Sequence, residues 1–204
     1  MEKAKTDIER FKAITFLLGF PPHYDLEVPV MRHIIEHYDE KGLEETKELY
    51  EKYMLQKFDD EFMQVILSKW GKMDWINPRF PILKEAIEIH LLDKFYASIS
   101  TFMPQLEGLI AEQYHTSGRL TQNALKAYIK SLLDGDGSFN FDEAVQKFYL
   151  EIVLENFEYG SPQTYDLSRH SISHGFDKDF GIKLNSLKTI LLIDYIIDKL
   201  NQIK

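Results

Sequence analysis

The chain has 204 residues with 24 Lys+Arg against 33 Asp+Glu, a net charge of −9, and no cysteine. Without thiols it has no disulfide scaffold, thiolate zinc site, iron–sulfur cluster or cysteine nucleophile, and at 44% apolar and 28% charged it can bury a full core. The acidic balance argues against a general nucleic-acid coat or a binder of anionic membranes, both of which rely on surplus Lys and Arg, while leaving room for a local basic site.

Apolar residues recur at helical spacing along almost the whole chain, and strand-like alternation is scarce, so the expected class is all-α. The opening segment MEKAKTDIERFKAITFLLGF mixes both charge signs ahead of its apolar stretch, unlike a signal peptide. No apolar run approaches the roughly 18 residues of a spanning helix. The expectation is a cytoplasmic protein without a membrane segment. Helices are predicted over about 5–18, 27–39, 43–58 and 60–70. Gly71, Pro78 and Pro81 punctuate the stretch from Trp70 to Pro81 and mark the predicted boundary between an N-terminal helical region, 1–77, and a C-terminal helical domain, 78–204. Further helices are predicted near 81–99, 102–115, 121–133, 141–157 and 184–201, and residues 158–168 form the longest loop-like stretch. Most of the 14 Phe and 11 Tyr sit at core spacing; Tyr159 and Tyr165, flanking that loop, are the two placed to stack on a base.

Charge is uneven. Ten acids and four lysines lie between Glu36 and Glu61, so that segment alone carries −6, which reads as a solvated helix face. From Asp166 to Lys204 six basic residues face five acids. The acidic half therefore does not exclude an anionic ligand at the C-terminal half.

Two short patterns suggest metal chemistry. His33-Ile34-Ile35-Glu36-His37 fits the H-x-x-E-H arrangement, in which two imidazoles share a helix face with a carboxylate between them. An exposed amphipathic helix accounts for the same letters. Asp134, Asp136, Gly137, Asn140 and Glu143 fall on positions 3, 5, 6, 9 and 12 of an EF-hand register, but Leu132 occupies position 1, where a primary oxygen ligand belongs. A tight helix–helix turn explains that stretch equally, and no metal or other cofactor is expected.

The densest chemistry is Arg169-His170-Ser171-Ile172-Ser173-His174-Gly175. A guanidinium clamps phosphate charge, and an imidazole near neutrality takes or gives a proton, which together suit phosphodiester cleavage without metal. Ser171 and Ser173 offer phosphate contacts or helix capping, and Gly175 is a natural helix stop. A complete acid/base pair needs His170 beside His174, or a second copy from a dimer partner.

With Arg169, four intervening residues and His174, and with Pro104-Gln105-Leu106-Glu107-Gly108 upstream, the region from about Arg79 onward resembles the HEPN superfamily (higher eukaryotes and prokaryotes nucleotide-binding), in its abortive-infection-like bacterial branch. His170 stands where Asn is more usual. The resemblance implies a helical bundle that forms a homodimer, with an antitoxin protein as a partner and RNA as the substrate of a metal-independent endoribonuclease acting as a toxin or phage-defence effector. It assigns Arg169 to phosphate and His174 to acid/base catalysis; His170 is the second acid/base candidate on the chemistry of the cluster, and Glu107, a carboxylate in the preceding helical pair, is an additional candidate to orient His174 or pair with Arg169. The alternative is a non-catalytic module binding a nucleotide, RNA or protein, in which Arg169 and His174 hold the fold or a ligand.

Overall fold

The structure, a computed structural model, describes residues 2–114, 117–135, 140–155 and 167–204. It is an all-α bundle, with no strand among the described residues. In chain order the helices are α1 (Glu2–Leu17), α2 (Val28–Lys41), α3 (Leu43–Lys57), α4 (Asp60–Trp70), α5 (Phe80–Leu91), α6 (Phe95–Tyr114), α7 (Gln122–Leu132), α8 (Asp142–Phe148), α9 (Arg169–Ser173) and α10 (Lys183–Gln202), with a 3₁₀ turn at Asp74–Ile76 before α5.

Local chemistry sets most boundaries. In α1, Ile8, Phe11 and Ile14 line one buried face. The helix stops at Gly19, whose φ of 69° lets Gly19 and Phe20 amides return to Phe16 and Thr15 carbonyls. Gly42, with φ of 81°, turns α2 directly into α3. Asp59 caps α4 by accepting from the Phe62 amide at 3.0 Å.

The predicted break near 100–101 is misplaced. The chain breaks instead at 92–94, where Asp93 takes φ of 58°, and α6 then runs 20 residues with Pro104 inside it. A proline in mid-helix removes one backbone donor, yet Leu106, Leu109 and Ile110 continue the buried stripe beyond it. Packing outweighs the missing bond. The predicted helix over 141–157 also ends early: α8 passes into a π-helical turn, Tyr149–Val153.

Helix α10 is the axis of the bundle. Every residue from Asn185 to Ile197 is buried, as is Leu200, and the helix packs on α6 above all, with further contacts to α3 and α5. One buried cluster runs from Ile8 to Leu200 and draws on both sides of the division predicted near residue 78. No helix among the described residues is long and apolar enough to cross a membrane.

Candidate functional site

Helix α9 is a five-residue turn fixed at both ends. The Ser168 side chain caps it, accepting from the Ser171 amide at 3.4 Å. Gly175, with φ of 69°, closes it by Gly175 and Phe176 amides bonding to Ile172 and Ser171 carbonyls at 3.0 and 2.9 Å. The capping serine is thus Ser168 rather than Ser171 or Ser173. Ser171 is wholly buried with an unpartnered hydroxyl, and Ser173 is exposed. The link from α9 to α10 is tied to α6 by Tyr96, whose hydroxyl donates to the Lys178 carbonyl at 2.8 Å.

This frame aims Arg169 at α6. Its Nη2 donates to Glu107 Oε2 at 2.8 Å, and its Nη1 lies 3.5 Å from His170 Nδ1. The His170 and His174 rings are parallel within 6°, their centres 6.2 Å apart. Arg169 and His174 thus belong to one row, Glu107–Arg169–His170–His174, with His170 in the middle. His174 is exposed, whereas Nε2 of His170 is buried without a partner.

Burial, helped by the charges of Arg169, His174 and Lys126, pulls the His170 imidazole below its ordinary value, so it is neutral at pH 7. Burial pushes the Glu107 carboxyl up, against the opposing pull of Arg169. Lys126 of α7 adds a positive charge, besides that of Arg169, that acts on the His170 imidazole.

Tyr149 was missed by sequence reasoning. It is fully buried, opens the π-helical turn, and its hydroxyl has no partner. Burial raises its phenol above the usual range, the Glu107 charge pushes the same way and Arg169 opposes. A tyrosine at apolar spacing carries no sequence signal of such a place. Tyr159 and Tyr165 lie outside the described residues.

Position 108, next to Glu107, is a glycine for a steric reason. A Cβ on Gly108 would fall 2.6 Å from Arg79 Nη1. The Arg79 guanidinium lies flat on α6 there, donating to Gln105 at 2.7 Å and Glu112 at 2.6 Å. The two faces of α6 therefore each hold an arginine, Arg79 on one and Arg169 on the other.

A second polar cluster lies deep in the bundle. Asp194 of α10, wholly buried, receives His23 Nε2 at 3.0 Å, Lys69 Nζ at 2.7 Å and the Trp70 indole N–H at 2.8 Å. Nδ1 of His23 faces Asp25 at 3.2 Å, and Lys69 also reaches Asp198 at 2.8 Å. Although burial pulls the His23 imidazole down, Asp194 and Asp25 hold it above its ordinary value. The residues next to Asp194 and Asp198 on α10, Tyr195 and Lys199, both donate to the buried Asp142 at 2.7 Å. These groups are mutually satisfied and tie α4, α8 and the segment after α1 to α10. Their sequence signal was two acids, Asp194 and Asp198, inside an otherwise apolar helix.

Neither metal pattern gathers a ligand set among the described residues, where no group of three or more His, Asp or Glu converges. His37 Nδ1 lies 2.8 Å from the Thr46 hydroxyl, and the His33 ring stands 6.4 Å from that of His37. In the EF-hand-like stretch, Asn140 Oδ1 accepts from the Asp142 amide at 3.2 Å. Residues 136–139 lie outside the described residues.

Comparison with known proteins found no matching family model, no matching curated protein and no matching solved structure.

Proposed function

We propose that the chain is a HEPN-like, metal-independent endoribonuclease whose site is the row Glu107–Arg169–His170–His174. The observation that carries this reading is the row itself. A guanidinium held by a carboxylate lies against one imidazole, and a second imidazole, parallel to the first, faces solvent.

In the reaction the substrate's 2′-oxygen attacks the adjacent phosphorus, forming a cyclic phosphate as the P–O5′ bond breaks. An imidazole takes the 2′-hydroxyl proton, and an imidazolium gives a proton to the departing 5′-oxygen. Arg169 stabilises the charge that gathers on the phosphoryl oxygens. His174 is the exposed acid/base group. His170, neutral and adjacent, completes the pair within one chain, and a homodimer would supply a second set. Roles as a toxin or defence effector, and an antitoxin partner, rest on the HEPN resemblance alone.

One observation favours the rival reading, a non-catalytic nucleotide-, RNA- or protein-binding module: the guanidinium already has a carboxylate partner, and the Nε2 of His170 is shielded from solvent. Purified protein incubated with RNA in EDTA separates the two. Cleavage by the wild type, lost in His174→Ala and Arg169→Ala, is the expected result. Intact RNA throughout, with all three proteins folded, leaves the binding module.

A further inference from the structure

Arg169 meets α6 at Glu107, 2.8 Å away, so on the reading of Arg169 as the phosphate ligand the cleaved phosphate sits beside that turn of α6. The same line of α6 continues to Tyr114. Residues seven apart on an α-helix lie within about 20° of one line and about 10 Å apart along the axis, and α6 is helical throughout from Phe95 to Tyr114. At that second station the Tyr114 ring is stacked on Tyr128 of α7, their centres 5.5 Å apart and their planes within 13°. Helices α9 and α7 thus dock along one face of α6, the first bringing a guanidinium and two imidazoles, the second completing a pair of parallel phenols. Both tyrosines are half-buried, so part of each side chain remains at the surface.

We propose that the Tyr114–Tyr128 pair is a stacking platform for a base of single-stranded RNA, within about three nucleotides of the phosphate held by Arg169, at about 3.4 Å of advance per stacked nucleotide. Every base has a π-face, and aromatic rings hold it without reading its sequence, which is how proteins grip unpaired strands. The charge around the platform suits a polyanion. From Arg119 to Leu133 the chain carries three basic residues, Arg119, Lys126 and Lys130, and no acid, in a protein whose net charge is −9. Arg119 and Lys130 are exposed. Glu112, two residues before Tyr114, is already engaged by Arg79 at 2.6 Å. Two rings held against each other also lose little freedom when a base arrives. A paired base would hide the face that the platform needs, so the strand it takes is unpaired.

The test uses the full chain and a short, labelled 2′-O-methyl oligonucleotide, which lacks the attacking hydroxyl and stays intact. Affinity is read by fluorescence anisotropy, with Tm measured alongside. Tyr114→Leu and Tyr128→Leu should each weaken binding about tenfold, the worth of one stacked base. Tyr114→Phe and Tyr128→Phe keep the rings and should bind like the wild type. Removing single bases from the oligonucleotide in turn should cost the wild type a similar factor at one position, and cost Tyr114→Leu nothing further there. Wild-type affinity in both leucine variants, equal losses in the phenylalanine and leucine variants, or indifference of the wild type to every missing base overturns the proposal. Tighter binding of the same oligonucleotide annealed to its complement overturns it too. The base-removal arm on the wild type needs no variant, so it decides even where a leucine change unfolds the chain. Undiminished binding by Arg169→Ala, with the stacking losses intact, overturns instead the reading of Arg169 on which the proposal rests, and a wild type that binds no oligonucleotide overturns both.

Discussion

Glu107 and Arg169 are 62 positions apart in the chain, yet a 2.8 Å ion pair joins them across the contact of α6 with α9. The pair links the two sequence motifs that carry the HEPN resemblance and sets the direction of the Arg/His row. Neither partner is fully buried, so its energetic worth is moderated by solvent. A double-mutant cycle on Glu107→Ala and Arg169→Ala, read by chemical denaturation, should return a coupling of about 1 kcal/mol. A coupling near zero would mean the contact does not persist in solution.

His170 gives an acid-side signature. Its folded-state affinity for a proton is lowered, so the unfolded chain binds that proton more readily. Its share of stability is therefore present above the ordinary imidazole value of about 6.5 and lost as pH falls through the depressed folded value. His170→Gln should lose less Tm than the wild type between about pH 7 and pH 5. NMR titration of the ring should place His170 below the ordinary imidazole value.

His23 gives the opposite sign. Because its folded value is raised, its contribution is complete below about pH 6.5 and declines as pH rises through the folded value. Replacing it by Gln should flatten the alkaline side of the Tm profile. Asp194→Ala is the severe change in this cluster, leaving Lys69 and His23 without their buried partner at a cost of about 3–5 kcal/mol. Chemical denaturation measures that loss directly, and a cost under about 1 kcal/mol would show the cluster to be dispensable.

Gly108→Ala tests the close approach of Arg79 to α6. The added methyl must push the guanidinium away from Gln105 and Glu112, so the expected loss is about 1–3 kcal/mol despite alanine's better helix propensity. A gain in stability would mean Arg79 swings clear without cost.

Much of the helical frame was legible in the sequence because apolar spacing and caps speak locally. The starts predicted for α3, α4 and α10, at 43, 60 and 184, fall within one residue of the structure. The break predicted near 100–101 was misplaced because the chain turns at 92–94 through the positive φ of Asp93, which apolar spacing does not reveal. Arg169, His170, His174 and Glu107 were nominated from motifs, but their meeting depends on how α9 docks on α6. Tyr149 and Lys126 carried no signal at all, since one looks like core and the other like surface. His23 and Asp194 pair over 171 positions, a distance that sequence pattern cannot bridge.

The central claim is that the Arg/His row cleaves RNA by attack of a 2′-oxygen. The most direct measurement is cleavage of an end-labelled oligoribonucleotide in EDTA, beside the same oligonucleotide with a single 2′-deoxy nucleotide at each mapped cut. The account predicts a 2′,3′-cyclic phosphate and a 5′-hydroxyl at every cut, no cut where the 2′-hydroxyl is missing, and no product from His174→Ala. Cleavage that persists at the deoxy position, or in His174→Ala, would contradict it.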